Sequence, residues 1–364
     1  MERNLPISQI HEKTISATTD RLLSLDILKG LAAIAVIVNH ISWIGINKSI
    51  FLYRFWVSPA VPVFVVITSF LYSRTFKKIG FDSWYSKENF RHFAKRFGPA
   101  ALLILVLQFF IEVVRHSIPV SEFIRMILIG GLYGPGGYYV SILLQFICIF
   151  PFFFKLSYQK PLLGFVLIVF LSILYEIIPA TILTNSLYRI LIFRYSVAIY
   201  LGVILYFHFD RLKKTIIPTI ALSSGIFFLV LGDVGYTYTV LNRWRESSSI
   251  FAGLYSFAIV FYFIKNEFAF NCKSYFFNAF RQLAILGFSS YHIFLSQMFY
   301  FLYFHRHIKN ILEITITSAN KKMIIFFLEW IISVSVCCIA GIIWFKLENI
   351  FFKCFVNIFR KNDI

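Results

Sequence analysis

Apolar runs of roughly bilayer length recur from one end of this chain to the other, and nothing else constrains its fold as strongly. A helix needs about 20 mostly apolar residues to cross hydrocarbon. Such runs fall near residues 22–44, 59–72 (extended by apolar 50–57), 97–114, 138–154, 162–178, 187–207, 216–231, 250–264, 283–304 and 323–345. The expected fold is therefore all-α, a polytopic membrane protein of about ten transmembrane helices around an intramembrane cavity. Residues 1–20 read as a cytoplasmic tail, 21–347 as the membrane domain and 348–364 as a second cytoplasmic tail. Residues 118–133 are amphipathic and read as an interfacial segment before a glycine-rich turn, GLYGPGG.

Composition agrees. Only 14% of the 364 residues are charged and 59% are hydrophobic, whereas soluble domains carry about 25% charged residues. The net charge of +18 would suggest nucleic acid in a soluble protein. Here no basic helix with base-reading residues occurs, and lysines and arginines gather in cytoplasmic loops of membrane proteins. The richest such segment is 74–96, which predicts both termini inside the cell. The cations at 306–322 run against that trend. The first twenty residues hold no apolar core, so the first helix is expected to be retained. The cysteines at 148, 272, 337, 338 and 354 form no CxxC spacing and read as buried thiols.

The first apolar run, RLLSLDILKGLAAIAVIVNHISWI, carries Asp26, Lys29 and His40. At about 100° per residue, the step from Lys29 to His40 returns to within roughly 20°, with Asp26 about 40° to the other side. The three polar groups therefore share one stripe, His40 about 16 Å deeper than Lys29. An ionisable group that deep is costly and usually faces a cavity or a partner. An imidazole kept from water is neutral and able to take a proton, as acyl transfer to a hydroxyl requires. The bland alternative is a structural histidine bonded to a neighbouring helix. Asp26 and Lys29 are expected to pair with each other or to meet an anionic ligand at the cytoplasmic end.

SLDILKGLAAIAVIVNH resembles the first helix of the acyltransferase-3 membrane family: an acidic residue, a basic residue with glycine, then ten residues to a histidine. Lys29 stands where arginine is more frequent, losing the bidentate fork. PVFVVITSFLYSR resembles the family's second helix, with Thr68 and Ser69 in place of Ser and Gly. KRFGPAALL, with Arg96 and Pro99, resembles the start of its third helix. GPGGYYVSILLQFICIFP, with Tyr138, Tyr139 and Gln145, resembles its fourth. FRYSVAIYLGVILY carries the matching Arg194 and Gly202. LGFSSYHIFLSQMFY resembles the ninth helix, with Gln297 where many members have histidine. The resemblance covers essentially the whole chain.

It implies a bacterial inner-membrane enzyme, multi-pass, that moves an acetyl or other short acyl group from cytoplasmic acyl-CoA, its co-substrate, to a hydroxyl or amine. The implied acceptor is a cell-surface or lipid-linked glycan. On that reading His40, with Lys29 and Asp26, carries the chemistry, as base or transient acyl carrier. Arg96, Arg91, Lys95 and Ser69 would hold the CoA, although positive-inside anchoring explains single cations equally well. Tyr138, Tyr139, Gln145, Arg194, Ser289, His292 and Gln297 would line the acceptor side. For these the bland roles are helix–helix hydrogen bonds and, for Arg194, snorkelling. Tyr291 and His292 point about 100° apart, so at most one is expected to face the site. Glu112 and Glu329 lie near helix ends and are expected to reach headgroups. His305 and His307 lack acidic support for a metal, and no metal is expected. A transporter or flippase for a lipid-linked sugar or small anion needs the same intramembrane charge, and is the alternative. A structural role in a polysaccharide-export complex is a third.

Overall fold

The structure is a computed structural model that describes residues 22–44, 46–132, 134–182, 185–233, 250–267, 277–316 and 321–361. The expected tail 1–20, Tyr133 of the glycine-rich turn and Cys272 lie outside the described residues. Every regular element among the described residues is helical. Helices α1 (Leu23–Asn39), α2 (Tyr53–Trp56), α3 (Ala60–Trp84) and α4 (Lys87–Phe109) come first, α4 continuing into a π-helical stretch, Phe110–Arg115. Then follow α5 (Val120–Gly130), α6 (Tyr138–Gln159), α7 (Pro161–Ile182) and α8 (Asn185–Ile190), with a 3-10 turn, Ile192–Tyr195. The remainder are α9 (Ser196–Leu212), α10 (Ile217–Asp233), α11 (Ile250–Lys265), α12 (Phe277–Phe288), α13 (Ser290–Tyr303), α14 (His305–Thr315) and α15 (Lys321–Lys361).

Five helical stretches are long and apolar enough to cross a membrane: Tyr53–Trp84, Lys87–Arg115, Tyr138–Gln159, Ile192–Leu212 and Lys321–Phe351. Shorter apolar helices cover Pro161–Ile177, Ile217–Leu231 and Ile250–Lys265. The membrane class is therefore clear from helix length and composition. The basic segment 74–96 is not the loop that its charge suggests. α3 reaches Trp84 after a kink at Gly80 (φ 77°, ψ 178°), and α4 begins at Lys87, where the Ser86 hydroxyl caps the Asn89 amide at 3.2 Å. Trp84 explains the continuation. It is fully buried, its ring lies against Tyr72, Phe76, Phe93 and Phe150, and its Nε1 donates to the Ile147 carbonyl at 2.9 Å. Burial of one indole thus holds two helix ends to α6 where local sequence is merely polar and basic.

Two features position α1. Its first amides, of Leu23 and Ser24, donate to the Glu267 carboxylate at 2.7 and 2.9 Å, so an acidic residue 244 positions away caps the helix. Free N-terminal amides and the helix dipole both favour that charge. Beyond the cap, α1 crosses α12 through two glycines. A Cβ at Gly30 would meet the Leu283 carbonyl oxygen at 2.1 Å, and one at Gly287 the Asp26 carbonyl oxygen at 1.9 Å. Small residues let membrane helices approach backbone to backbone. α13 continues α12 past a break at Ser289 and keeps beside α1, with Ile293 packed among Ala33, Ile37 and Cys337.

Candidate active site

α1 supplies the polar residues of the opening stripe, and the structure divides them. Asp26 is buried and pairs with Lys29 at 2.6 Å, one turn on, as the spacing predicted. Lys29 lines a cavity of about 450 Å³, and Val36, two turns further, lines it too. His40 does not line that cavity. It is the residue that ends α1, with φ −94° and ψ −5°, its amide bonded to the Ile37 carbonyl at 3.0 Å. The ideal-helix projection therefore stops one residue before it. Its ring is partly exposed and tilts against Phe301 of α13 at 5.7 Å between centroids.

The cavity lies among α1, α3, α4, α6, α12, α13 and α15. Its polar wall gathers Lys29 with Lys95 and Arg96 of α4, Thr68 and Thr75 of α3, and Tyr139 of α6. Tyr291 and His292 of α13 join them, with Glu348 and Asn349 of α15. Both Tyr291 and His292 thus line one space. The Tyr291 hydroxyl also donates to the Phe97 carbonyl at 3.1 Å, tying α13 to α4. Tyr139 marks the far end, its ring 5.1 Å from Phe294 and 6.5 Å from Phe64.

The other expected residues fall elsewhere. Arg91 is exposed and outside the cavity lining. Ser69 is buried, donates to the Val65 carbonyl at 2.8 Å, and lies where a Cβ at Gly202 would approach its own to 2.5 Å. It serves the α3–α9 crossing, and its neighbour Thr68 faces the cavity instead. Ser289 likewise donates within its own helix, to Ile285 at 3.0 Å. Gln145 is a pin: its amide donates to the Ile190 carbonyl at 2.6 Å and its oxygen accepts from the Ile192 amide at 3.1 Å. Both ends of the break between α8 and the 3-10 turn are thereby satisfied.

That pinned turn presents Arg194. The guanidinium is buried among the rings of Tyr138, Tyr188 and Tyr195, at 5.7, 5.5 and 4.8 Å, and the buried Glu176 carboxylate, which accepts from the Tyr188 hydroxyl at 2.6 Å, supplies a nearby counter-charge. Its Nε and the Tyr195 hydroxyl have no hydrogen-bond partner among the described residues. Gln297 is also fully buried, with neither side-chain polar atom bonded among the described residues.

Three acidic residues carry more than the sequence suggested. Glu348, placed in a tail by the sequence reading, pairs with His292 Nε2 at 2.8 Å. α15 simply runs on as helix past the end of the apolar run at 323–345, and that is why composition hides it. Glu112 and Glu329 do not reach outward to headgroups: both are buried. The π-helical stretch turns Glu112 inward, where Tyr303 donates to it at 2.8 Å and His116 lies at 3.3 Å. Glu329 lies 3.7 Å from His305. No group of three or more metal-ligating side chains occurs among the described residues. Cys337 and Cys338 are buried free thiols, as expected, and Cys148 is exposed.

Fold and site together define a helical membrane protein with a largely apolar cavity that carries Lys29, Lys95 and Arg96 on its wall. A family model described as an acyltransferase domain matches residues 22–346, and the chain belongs to this acyltransferase-3 family. It is a membrane acyltransferase. Comparison with curated proteins and with solved structures gives no match.

Proposed function

We propose that this acyltransferase takes an acetyl or other short acyl group from cytoplasmic acyl-CoA and delivers it to a hydroxyl or amine of a cell-surface or lipid-linked glycan. In this reading about ten helices span a bacterial inner membrane with both termini in the cytoplasm, and the cavity is intramembrane. One observation carries the proposal. A single cavity has Lys29, Lys95 and Arg96 on its wall and extends to Val36, on the helix that ends four residues later at His40. Lys95 and Arg96 suit the phosphates of CoA, with the Lys29–Asp26 pair beside them, and a thioester carried inward would finish near the end of α1. Val36 and His40 are separated by about 6 Å of helix axis.

His40 is then the base that activates the acceptor, or the group that carries the acyl between donor and acceptor. The ring lies against Phe301 at the end of α1, where an acceptor would have to reach it. Arg194 and its tyrosines form a second polar centre, fitted to an anionic group on the acceptor. The test is a purified protein in lipid vesicles, given radiolabelled acetyl-CoA, with membranes from a strain lacking the gene as acceptor. Transfer of label to glycan supports the proposal. Absence of both label transfer and CoA release, with the protein folded, overturns it.

A further inference from the structure

His292 is the imidazole on the cavity wall, and nothing in the opening stripe of α1 involves it. Its Nε2 pairs with a Glu348 carboxylate oxygen at 2.8 Å, leaving Nδ1 as the ring position able to give or take a proton. The ring is held edge-on by Tyr291 at 5.9 Å, Trp344 at 5.6 Å and Phe345 at 5.3 Å, so its orientation is set by packing. The imidazole is almost fully buried, while Glu348 keeps 15% of its side chain exposed, which gives the pair a path to water. Glu348 lies two positions beyond the last residue matched by the family model.

The charges facing this pair narrow its role. Lys29 comes from α1, Lys95 and Arg96 from α4; Tyr72, Tyr139 and Tyr291 are neutral phenols on the same wall. Lys95 and Arg96 suit a polyphosphate, and Lys29, paired with Asp26, adds no net charge beside them. A protonated imidazole beside a carboxylate adds no net charge, so the pair is poorly fitted to hold another phosphate. It is well fitted to carry a proton, because Glu348 supplies the counter-charge that an imidazolium needs to stay buried. Position agrees. His292 follows Gly287, which packs on Asp26, by five residues, about 7.5 Å deeper along the helix than the cationic end of α1.

We propose that His292, positioned by Glu348, is the general acid that protonates the sulfur of departing CoA. This rests on the acyl-CoA reading above. As the acyl carbon bonds to the accepting group, which gives its own proton to its own base, the carbon–sulfur bond breaks with its electron pair on sulfur. The His292 imidazolium then passes a proton to sulfur, releasing the free thiol and leaving a neutral imidazole. Water at the cavity mouth restores the proton through the pair.

Leaving-group dependence tests this. Acetyl-CoA is compared with its selenoester analogue, whose selenolate departs readily without a proton, in wild type, His292→Gln and Glu348→Gln. The expected loss with acetyl-CoA is about 100-fold for His292→Gln, the low end for general acid catalysis, and smaller for Glu348→Gln. With the selenoester both variants are expected to fall within about threefold of wild type, a recovery that a misfolded or merely mispacked variant would not show. Equal losses with the two donors, or no loss with acetyl-CoA, would overturn the proposal. Wild-type protein that releases no CoA from any acyl-CoA would instead overturn the donor reading on which it rests.

Discussion

Asp26 and Lys29 meet at 2.6 Å across one turn of α1, the carboxylate buried and the ammonium at the cavity wall. The pair ties a helix whose first amides are capped by Glu267 to the rim where an anionic ligand would enter. Removing Lys29 alone leaves a buried carboxylate without this partner. Lys29→Met is expected to cost about 1–3 kcal/mol, less than a fully buried pair because the ammonium is partly exposed. Asp26→Asn with Lys29→Met is expected to recover most of that stability without recovering activity. Thermal unfolding in detergent, read as a double-mutant cycle, checks the first part, and turnover checks the second. Recovery of both would make the pair purely structural.

Two glycines are needed for different reasons, one for space and one for backbone conformation. Gly287→Ala forces a methyl against the Asp26 backbone, where neither helix can yield without separating. A loss of about 2–3 kcal/mol is expected, at the upper end for overpacking. Gly80 has φ 77° inside α3, but nothing stands within 4 Å of its missing Cβ. At φ 77° and ψ 178° the backbone is open essentially to glycine alone, so Gly80→Ala is expected to cost about 1–3 kcal/mol through strain without any clash. Melting temperatures of the two variants in the same detergent check both losses.

Gln145 holds the turn that presents Arg194. Gln145→Leu strands the Ile192 amide and the Ile190 carbonyl, at about 1–3 kcal/mol for a buried group left unsatisfied. Acceptor KM is expected to rise while donor KM stays near its wild-type value. A matched rise in both would place Arg194 outside the acceptor site.

Membrane orientation is testable by labelling. A cysteine at Arg91, exposed on α4, should react with an impermeant maleimide only after cells are opened, and one at Arg306, exposed on α14, in intact cells. The opposite pattern would invert the topology and move the cationic rim away from the cytoplasm.

Much of the site was legible because charge in an apolar run is conspicuous. Asp26, Lys29 and His292 stand out that way, and the first pair's spacing gives its geometry directly. The rest depends on contacts between distant segments. Glu348 looks like tail polarity until α15 brings it to His292, and Glu267 looks like a loop acid until it caps α1. Ser69 and Thr68 differ by one position, and only the α3–α9 crossing decides which faces the cavity. Arg96 and Trp84 sit in what reads as a basic loop, because a run of lysines and arginines hides one indole whose burial keeps the backbone helical. Glu112 turns inward through a π-helical stretch that helical periodicity cannot anticipate.

The central claim is acyl transfer that depends on His40. Its most direct test is CoA-thiol release and acceptor acylation by purified His40→Ala beside wild type, with folding checked by thermal unfolding. His40 ends α1 and packs chiefly on Phe301, so the variant is expected to fold while acceptor acylation falls by at least about 100-fold. Full acylation by a folded His40→Ala protein would contradict the account.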